Sequence, residues 1–159
     1  MPGKLLGMTR LPLMVAMSMV AAAIMTPGLS DDNVQADPWP KAELLEPSSL
    51  AELLKSSAPQ PNIICVAFPV LYRQRHVLHA RLAGPASKPE GLRALRDAVH
   101  SLPRDSQIVI YCGCCPMQKC PNVRPAYRLL KELGFSHIRV LDLPANFHAD
   151  WSAKGYPVE

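Results

Sequence analysis

The sequence predicts a three-layer α/β domain, in which a central, mostly parallel sheet of about five strands has helices on both faces. Two observations support this class. Continuous apolar runs bounded by proline or polar turn residues are typical of strands buried on both faces. These runs alternate with segments whose apolar residues recur at helical spacing. Strands that alternate with helices in turn predict a parallel sheet with right-handed crossovers.

The elements are predicted in order along the chain. After a proline-punctuated lead-in, Ser48 or Ser49 is expected to cap the first helix, with Glu52 placed for a capping box. Asn122 is expected to cap the helix that follows the cysteine-rich run, and Gly134 is expected to end it. The predicted helices are 50–55, 89–102, 125–133 and 147–154, and the predicted strands are 63–68, 80–82, 107–111 and 137–141, with 69–87 otherwise irregular.

Residues 1–36 are predicted to be a signal peptide with its cleavage region, followed by a domain over 37–159. Two basic residues, Lys4 and Arg10, precede an uncharged apolar run over 11–25, which is shorter than the roughly 20 apolar residues of a membrane-spanning helix. The domain is therefore expected to be exported, either to a periplasm or out of the cell. The alternative is an uncleaved N-terminal anchor, the one membrane contact that the sequence predicts.

The charge pattern argues against nucleic acid as a partner. The formal net charge is +4, and the basic residues are scattered rather than grouped. Arg73, Arg75 and Arg81 form the main local concentration, and we interpret them as a solvated basic face. The chain has no basic stripe interleaved with aromatic residues, which is what binding of single-stranded nucleic acid requires.

Four of the five cysteines fall within nine residues, at positions 112, 114, 115 and 120. They follow a predicted buried strand and precede a predicted helix. Open α/β sheets bind ligands at the carboxyl ends of their strands, and a helix N-terminus stabilises anions, including a thiolate. Five is an odd number, so at least one thiol is left over after any pairing within the chain. The sequence therefore predicts sulfur chemistry at this loop.

Several segments together resemble a rhodanese-like domain, over roughly residues 42–159. The resemblance rests on a strand–cysteine–loop–helix unit, the strand after it and a terminal Gly-Tyr-Pro-Val, at residues 108–112, 129–135, 138–141 and 155–158. The resemblance implies a rhodanese-like fold and sulfurtransferase activity without a cofactor. A loop cysteine would take sulfane sulfur from a small donor such as thiosulfate or polysulfide, become a persulfide, and pass the sulfur to a thiol acceptor or redox partner protein.

The chain also departs from that pattern. Rhodaneses usually have a short loop that opens with cysteine and closes on arginine, whereas Arg124 here lies twelve positions after Cys112. The loop carries three additional cysteines and two prolines. Where the family has Asp-x-Arg after an earlier strand, this chain reads Cys65-Val66-Ala67. The sequence looks like a divergent exported subgroup with a cysteine-rich loop.

Two residues are predicted to act on the sulfur donor, and a third is predicted to shape the loop around it. Cys112 matches the family nucleophile, although a buried or disulfide-bonded cysteine is the alternative. Gly113 permits the positive φ values that a curled loop of N–H groups requires. Arg124 matches the loop-closing arginine, where a guanidinium would bind an anionic donor, and the alternative is a solvent-facing position in the first helical turn.

Cys114, Cys115 and Cys120 have three interpretations, and the sequence leaves all three open. They resolve a persulfide on Cys112 through a disulfide, they bind copper or zinc together with Cys112, or they staple the long loop with a structural disulfide. Because their spacing is not a standard zinc spacing, we favour the staple or the relay over the metal. Cys65, in the middle of an apolar run, is predicted to be an inert core residue.

Overall fold

The computed structural model describes Gly3 and residues 36–159. Within that range, five strands form one sheet in the order β1-β5-β4-β2-β3, and every neighbouring pair is parallel. The strands are β1 (Leu44–Leu45), β2 (Asn62–Cys65), β3 (Arg81–Leu82), β4 (Ile108–Tyr111) and β5 (Ile138–Leu141). The predicted α/β class with a parallel sheet is confirmed. The predicted signal segment, 1–36, lies outside the described residues except for Gly3 and Ala36.

Five α-helices connect and flank these strands in the described part of the chain. They are α1 (Pro47–Lys55), α2 (Pro69–Gln74), α3 (Pro89–Val99), α4 (Val123–Glu132) and α5 (Phe147–Asp150), with 3₁₀ helices at Lys41–Glu43, Met117–Lys119 and Ser152–Lys154. None of the helices in residues 36–159 combines the length and the apolar character that a membrane crossing needs. The connections through α1 and α2 cross the sheet in one direction and those through α3 and α4 in the other. Right-handed crossovers therefore place the two pairs on opposite faces, and α3 and α4 pack against each other.

Three local predictions were wrong. The stretch after residue 68 was expected to be irregular, but Pro69 opens α2, because its fixed φ suits the first turn of a helix. The strand predicted to reach Phe68 ends at Cys65 for the same reason, since Phe68 becomes the N-cap residue of that helix. The predicted serine cap and capping box of α1 do not form; the helix begins earlier, at Pro47, with no side-chain cap.

Two glycines follow the ends of helices, and one of them, Gly134, ends its helix as predicted. Gly134 follows α4 with φ of 85°, and Gly155 follows the last 3₁₀ helix with φ of 72°, both in the left-handed region that favours glycine. The predicted final helix, 147–154, is split between α5 and the 3₁₀ helix that begins at Ser152. Trp151 at the junction is fully buried and donates its indole N–H to the Pro157 carbonyl at 2.9 Å, which fixes the carboxyl-terminal segment against the core.

The topology places a crevice at the carboxyl ends of β2 and β4. These strands are neighbours, with Cys65 paired to Tyr111 at the end of the ladder. The chain after β2 leaves toward the face that carries α2, and the chain after β4 leaves toward the face that carries α4. Adjacent strands whose connections depart to opposite faces form a switch point, where open α/β sheets bind ligands. The residue that follows β4 at this point is Cys112.

Candidate active site

A cavity of about 530 Å³ opens at this switch point. The ends of β2 and β4, the first loop residues and the helices α2 and α5 surround it. Its lining includes Cys65, Tyr111, Cys112, Gly113, Cys114, Leu71, Tyr72, Arg75, Phe147 and His148. Cys112 has only 5% of its surface exposed, so this cavity is the route by which a small molecule reaches its sulfur.

Gly113 gives the loop its first turn. Its φ of 73° lies in the left-handed region, and a Cβ built at this position would come within 2.7 Å of the Phe147 Cβ. The Gly113 carbonyl accepts a hydrogen bond from the Phe147 N–H at 3.0 Å. The glycine therefore allows the loop to turn sharply after Cys112 while it packs directly against the start of α5.

The loop brings its sulfurs together as a cluster of free thiols. The Cys114 Sγ lies 3.2 Å from the Cys112 Sγ and 3.2 Å from the Cys115 Sγ. The Sγ atoms of Cys112, Cys114 and Cys120 all lie within 4.8 Å of one another. Of four cysteines spread over nine positions of sequence, three are thus joined by sulfur–sulfur contacts, and Cys120 lies close to two of them.

The side chain of Asn122 holds the Cys112 sulfur in position through hydrogen bonds, a role that the sequence analysis did not predict. Its side chain is fully buried, donates an N–H to the Cys112 Sγ at 3.3 Å and accepts the Ser87 N–H at 2.9 Å. Asn122 does occupy the N-cap position of α4, as predicted, but its side chain makes no capping hydrogen bond because both of its polar ends are engaged elsewhere. The sequence contained one signal for this, the position of Asn122 two residues after Cys120.

The negative charge of the cluster is centred on Cys120. Hydrogen bonds from the Cys112 and Cys114 thiols lower the pKa of Cys120 to about 2, although burial opposes them. The backbone N–H groups of Asn122 and Val123, at the start of α4, lower this pKa further. A thiolate at this position is therefore stabilised both by neighbouring thiols and by a helix N-terminus.

The other three thiols are held in the protonated form. The Cys114 thiol lowers the pKa of Cys112, but the hydrogen bond to the Cys120 sulfur and burial outweigh it and raise that pKa to about 12. The hydrogen bonds with Cys112 and Cys120 raise the pKa of Cys114, and burial adds to them. Burial raises the pKa of Cys115 to about 12, followed by its contact with Cys114. The directions of these pKa shifts favour a single negative charge in the cluster, located on Cys120.

Arg124 lies behind the loop rather than in the cavity. Its guanidinium is buried, donates to the Cys120 and Gln118 carbonyls at 3.2 and 3.1 Å, and forms an ion pair with Asp37. It also lies over the Trp39 ring, at 5.8 Å from the ring centroid. These contacts brace the loop from its outer side, and Arg124 is not among the residues that line the cavity.

Arg75 is the cationic residue that lines the cavity beside Cys112. It follows α2, is exposed, and its side chain makes no ion pair with any described residue. His148, on α5, lines the cavity as well. None of the described residues in the lining is acidic. Arg75, interpreted from the sequence as part of a solvated basic face, is exposed and also lines the cavity, while the exposed Arg73 lies outside it.

Two histidines and the fifth cysteine lie outside the loop. His76 and His79 face the carboxylate of Glu159, with nitrogen–oxygen distances of 3.4 and 3.5 Å. Cys65 is buried as predicted, and burial raises its pKa to about 11. It nevertheless lines the cavity, because β2 ends next to β4 at the switch point.

Comparisons with known proteins bear on the fold. The rhodanese-like domain of the Anabaena sp Alr3790 protein is similar to this chain, with 24% sequence identity, a TM-score of 0.54, and coverage of 74% of this chain and 78% of that one. A crystal structure of the Alr3790 protein gives 23% identity over 72% and 81% of the two chains, with a TM-score of 0.56. The fold is rhodanese-like. The BH2092 protein from Bacillus halodurans has a similar structure, with 18% identity over 73% and 75% of the two chains and a TM-score of 0.57.

No family model matches this sequence, and no curated protein matches it. The comparisons thus bear on the fold alone, in which Cys112 follows the central strand β4. The chemistry of the site has to be argued from the residues themselves, because one fold supports many functions.

Proposed function

We propose that this protein is an exported rhodanese-like sulfurtransferase that carries sulfane sulfur as a persulfide on Cys112. The observation that carries the proposal is that Cys112 follows the central strand at the switch point and lines the cavity there. A nucleophile at such a position is both held rigidly and reachable by a small molecule. The export part of the proposal is supported only by the sequence of residues 1–36.

The proposed donor is a small anion such as thiosulfate, with polysulfide as the other candidate. Cys112 gives up its proton to a base in solution, and its thiolate attacks the outer sulfur of thiosulfate. A sulfur–sulfur bond forms to Cys112 while the sulfur–sulfur bond of thiosulfate breaks, and sulfite leaves with the electron pair. Arg75, which lines the cavity, supplies positive charge to the bound anion.

The proposed acceptor is a thiol, either of a small molecule or of a redox partner protein. The acceptor thiolate attacks the outer sulfur of the Cys112 persulfide, takes it over as its own persulfide, and leaves Cys112 as a thiolate. Arg124 takes no part in these steps. We assign it the role of holding the loop through the Cys120 and Gln118 carbonyls.

A second candidate function, a persulfide or thiol–disulfide relay, is favoured by the 3.2 Å contact between Cys112 and Cys114. A Cys114 thiolate attacks the inner sulfur of the persulfide, a Cys112–Cys114 disulfide forms, and hydrosulfide leaves. A thiol reductant would then have to reopen that disulfide. The two functions differ in the fate of the sulfur, which stays on Cys112 in the first and leaves as hydrosulfide in the second.

Peptide mass spectrometry of the reduced full chain after thiosulfate treatment tests the proposal. A gain of one sulfur atom on the Cys112 peptide, lost in Cys112→Ser and retained in Cys65→Ala, is the expected result. Loss of two hydrogens with release of hydrosulfide would support the relay instead. A loop peptide that stays unmodified, or a sulfur gain that persists in Cys112→Ser, would refute the assignment of Cys112 as sulfur carrier.

A further inference from the structure

We propose that Cys112, Cys114 and Cys120 form a binding site for a single Cu(I) ion. This proposal does not rest on the sulfur-transfer function. The three Sγ atoms lie within 4.8 Å of one another, and the closest pair, Cys112 and Cys114, is 3.2 Å apart. A metal about 2.3 Å from each of three sulfurs, in a trigonal arrangement, holds them about 4 Å apart. The spacing in the cluster brackets this value, so small side-chain rotations suffice to close the site.

The number of ligands favours Cu(I) over Zn(II). Structural zinc sites are almost always tetrahedral, with four protein ligands, so three thiolates leave such a site incomplete, whereas soft thiolate ligands also suit Cu(I). The fourth loop cysteine, Cys115, does not join the group, although its Sγ touches that of Cys114. The Cys115 sulfur is therefore close to one member of the group but not to all three, so it does not complete a tetrahedron with them. The described residues therefore offer three thiolates at one point.

The surroundings of the three sulfurs supply donors that suit bound thiolates. Three thiolates and one Cu(I) ion carry two negative charges, which have to be stabilised by nearby positive groups. The Asn122 side chain donates an N–H to the Cys112 Sγ at 3.3 Å. Cys120 lies three residues before Val123, the first residue of α4, and the N–H groups at a helix start favour negative charge on a nearby sulfur. Such outer-shell donors orient metal ligands and raise metal affinity.

The three sulfurs are shielded from water on one side and open to the cavity on the other. Cys112 and Cys120 are 5% and 2% exposed, which keeps a bound Cu(I) ion away from bulk water. Cys114 is half-buried and lines the cavity, so an incoming ion meets this sulfur first. Because Cys112 is a ligand, copper binding and persulfide formation on the same sulfur exclude each other. Copper would therefore switch off sulfur transfer at this loop.

Competition for Cu(I) tests the site. The reduced full chain is mixed anaerobically with tetrakis(acetonitrile)copper(I), and the chelator bicinchoninate reports the copper that remains free. We expect one Cu(I) ion per chain. Cys120→Ser is expected to lower the affinity about 100-fold or more, and Asn122→Asp, which replaces an N–H donor with a carboxylate, about 10- to 100-fold. Cys115→Ser is the matched control and is expected to stay within about twofold of the unmodified chain.

X-ray absorption at the copper edge of the unmodified chain gives a measurement that does not depend on the folding of any variant. Three sulfur ligands around a single copper are expected. Equal copper retention by the unmodified chain and Cys120→Ser would overturn the proposal, as would loss of copper in Cys115→Ser. So would tight retention of Zn(II) together with weak binding of Cu(I). A chain that fails to form a persulfide but binds copper as expected would refute only the sulfur-transfer function.

Discussion

Replacing Arg75 by glutamine should selectively weaken the reaction of Cys112 with anions. Arg75 lines the cavity, whose volume of about 530 Å³ equals that of a sphere about 5 Å in radius, so a bound anion lies roughly 5 Å from the guanidinium. Two unit charges at that distance attract each other by about 0.8 kcal/mol in water, and salt near 0.15 M roughly halves this energy. The change should therefore cost a monovalent anion about two- to fourfold in rate and dianionic thiosulfate about four- to fifteenfold.

The assay uses two alkylating agents of similar size and different charge. The rate of Cys112 carboxymethylation by iodoacetate is divided by its rate of alkylation by neutral iodoacetamide, with the modified peptide identified by mass spectrometry. Arg75→Gln should lower this ratio, and Arg73→Gln, a change in the same segment but outside the cavity, should leave it unchanged. High salt should shrink the difference. An unchanged ratio in Arg75→Gln, or an equal fall in Arg73→Gln, would refute the assignment of Arg75. The assay involves no sulfur transfer, so it remains informative if thiosulfate proves not to be the donor.

Three further changes test the framework of the site. Gly113→Ala should lower the free energy of unfolding by about 1–3 kcal/mol in thermal or urea denaturation, because φ of 73° and the close Phe147 Cβ both oppose a side chain. Asn122→Ala should cost about 1–3 kcal/mol in the same measurement, since it removes a buried side chain that anchors Cys112; no loss would mean that this hydrogen bond is not a structural anchor. Burial raises the pKa of Cys65 from 9.0 to about 11, so the unfolded chain gives up this proton first. The stability advantage of the unmodified chain over Cys65→Ala should therefore shrink as pH rises from 9 to 11, and a constant difference in urea denaturation would contradict it.

Strong local signals in the sequence were enough to predict most of the fold. The run from Ile108 to Tyr111 is buried at every position in the structure, which is why its continuous apolar pattern predicts a central strand correctly. Gly134 predicts the end of α4 because few other residues adopt its positive φ at low cost. By contrast, β1 contains only Leu44 and Leu45, and a strand of two residues is too short to show a period. The helix α2 has no capping side chain and no buried residue. It therefore lacks both the N-cap signal and the periodic apolar face from which a helix is predicted.

The site was harder to predict because its important contacts join residues that are distant in sequence. The position of Cys112 at the end of a strand could be predicted from the residues directly before it in the sequence. Arg75 reaches the cavity only because β2 and β4 are neighbours in the sheet, a pairing that single-sequence patterns do not determine. The side chain of Asn122 had a standard use as a helix cap, but tertiary contacts with Ser87 and Cys112 override that preference.

The long loop explains why the arginine and the cysteines have roles here that the family resemblance alone did not imply. The segment between β4 and α4, which places Arg124 twelve positions after Cys112, is too long to curl tightly around one sulfur, and it needs supports of its own. Arg124 provides them on the outer side, where it ties two loop carbonyls to Asp37 in the segment before the domain core. Its charge is therefore directed away from the cavity, which leaves Arg75 to meet an anion. On the inner side, the added length folds Cys114 and Cys120 back toward Cys112. In the proposed function, anion recognition therefore falls to Arg75, which follows α2, and the proposed sulfur carrier Cys112 has other thiols close to it.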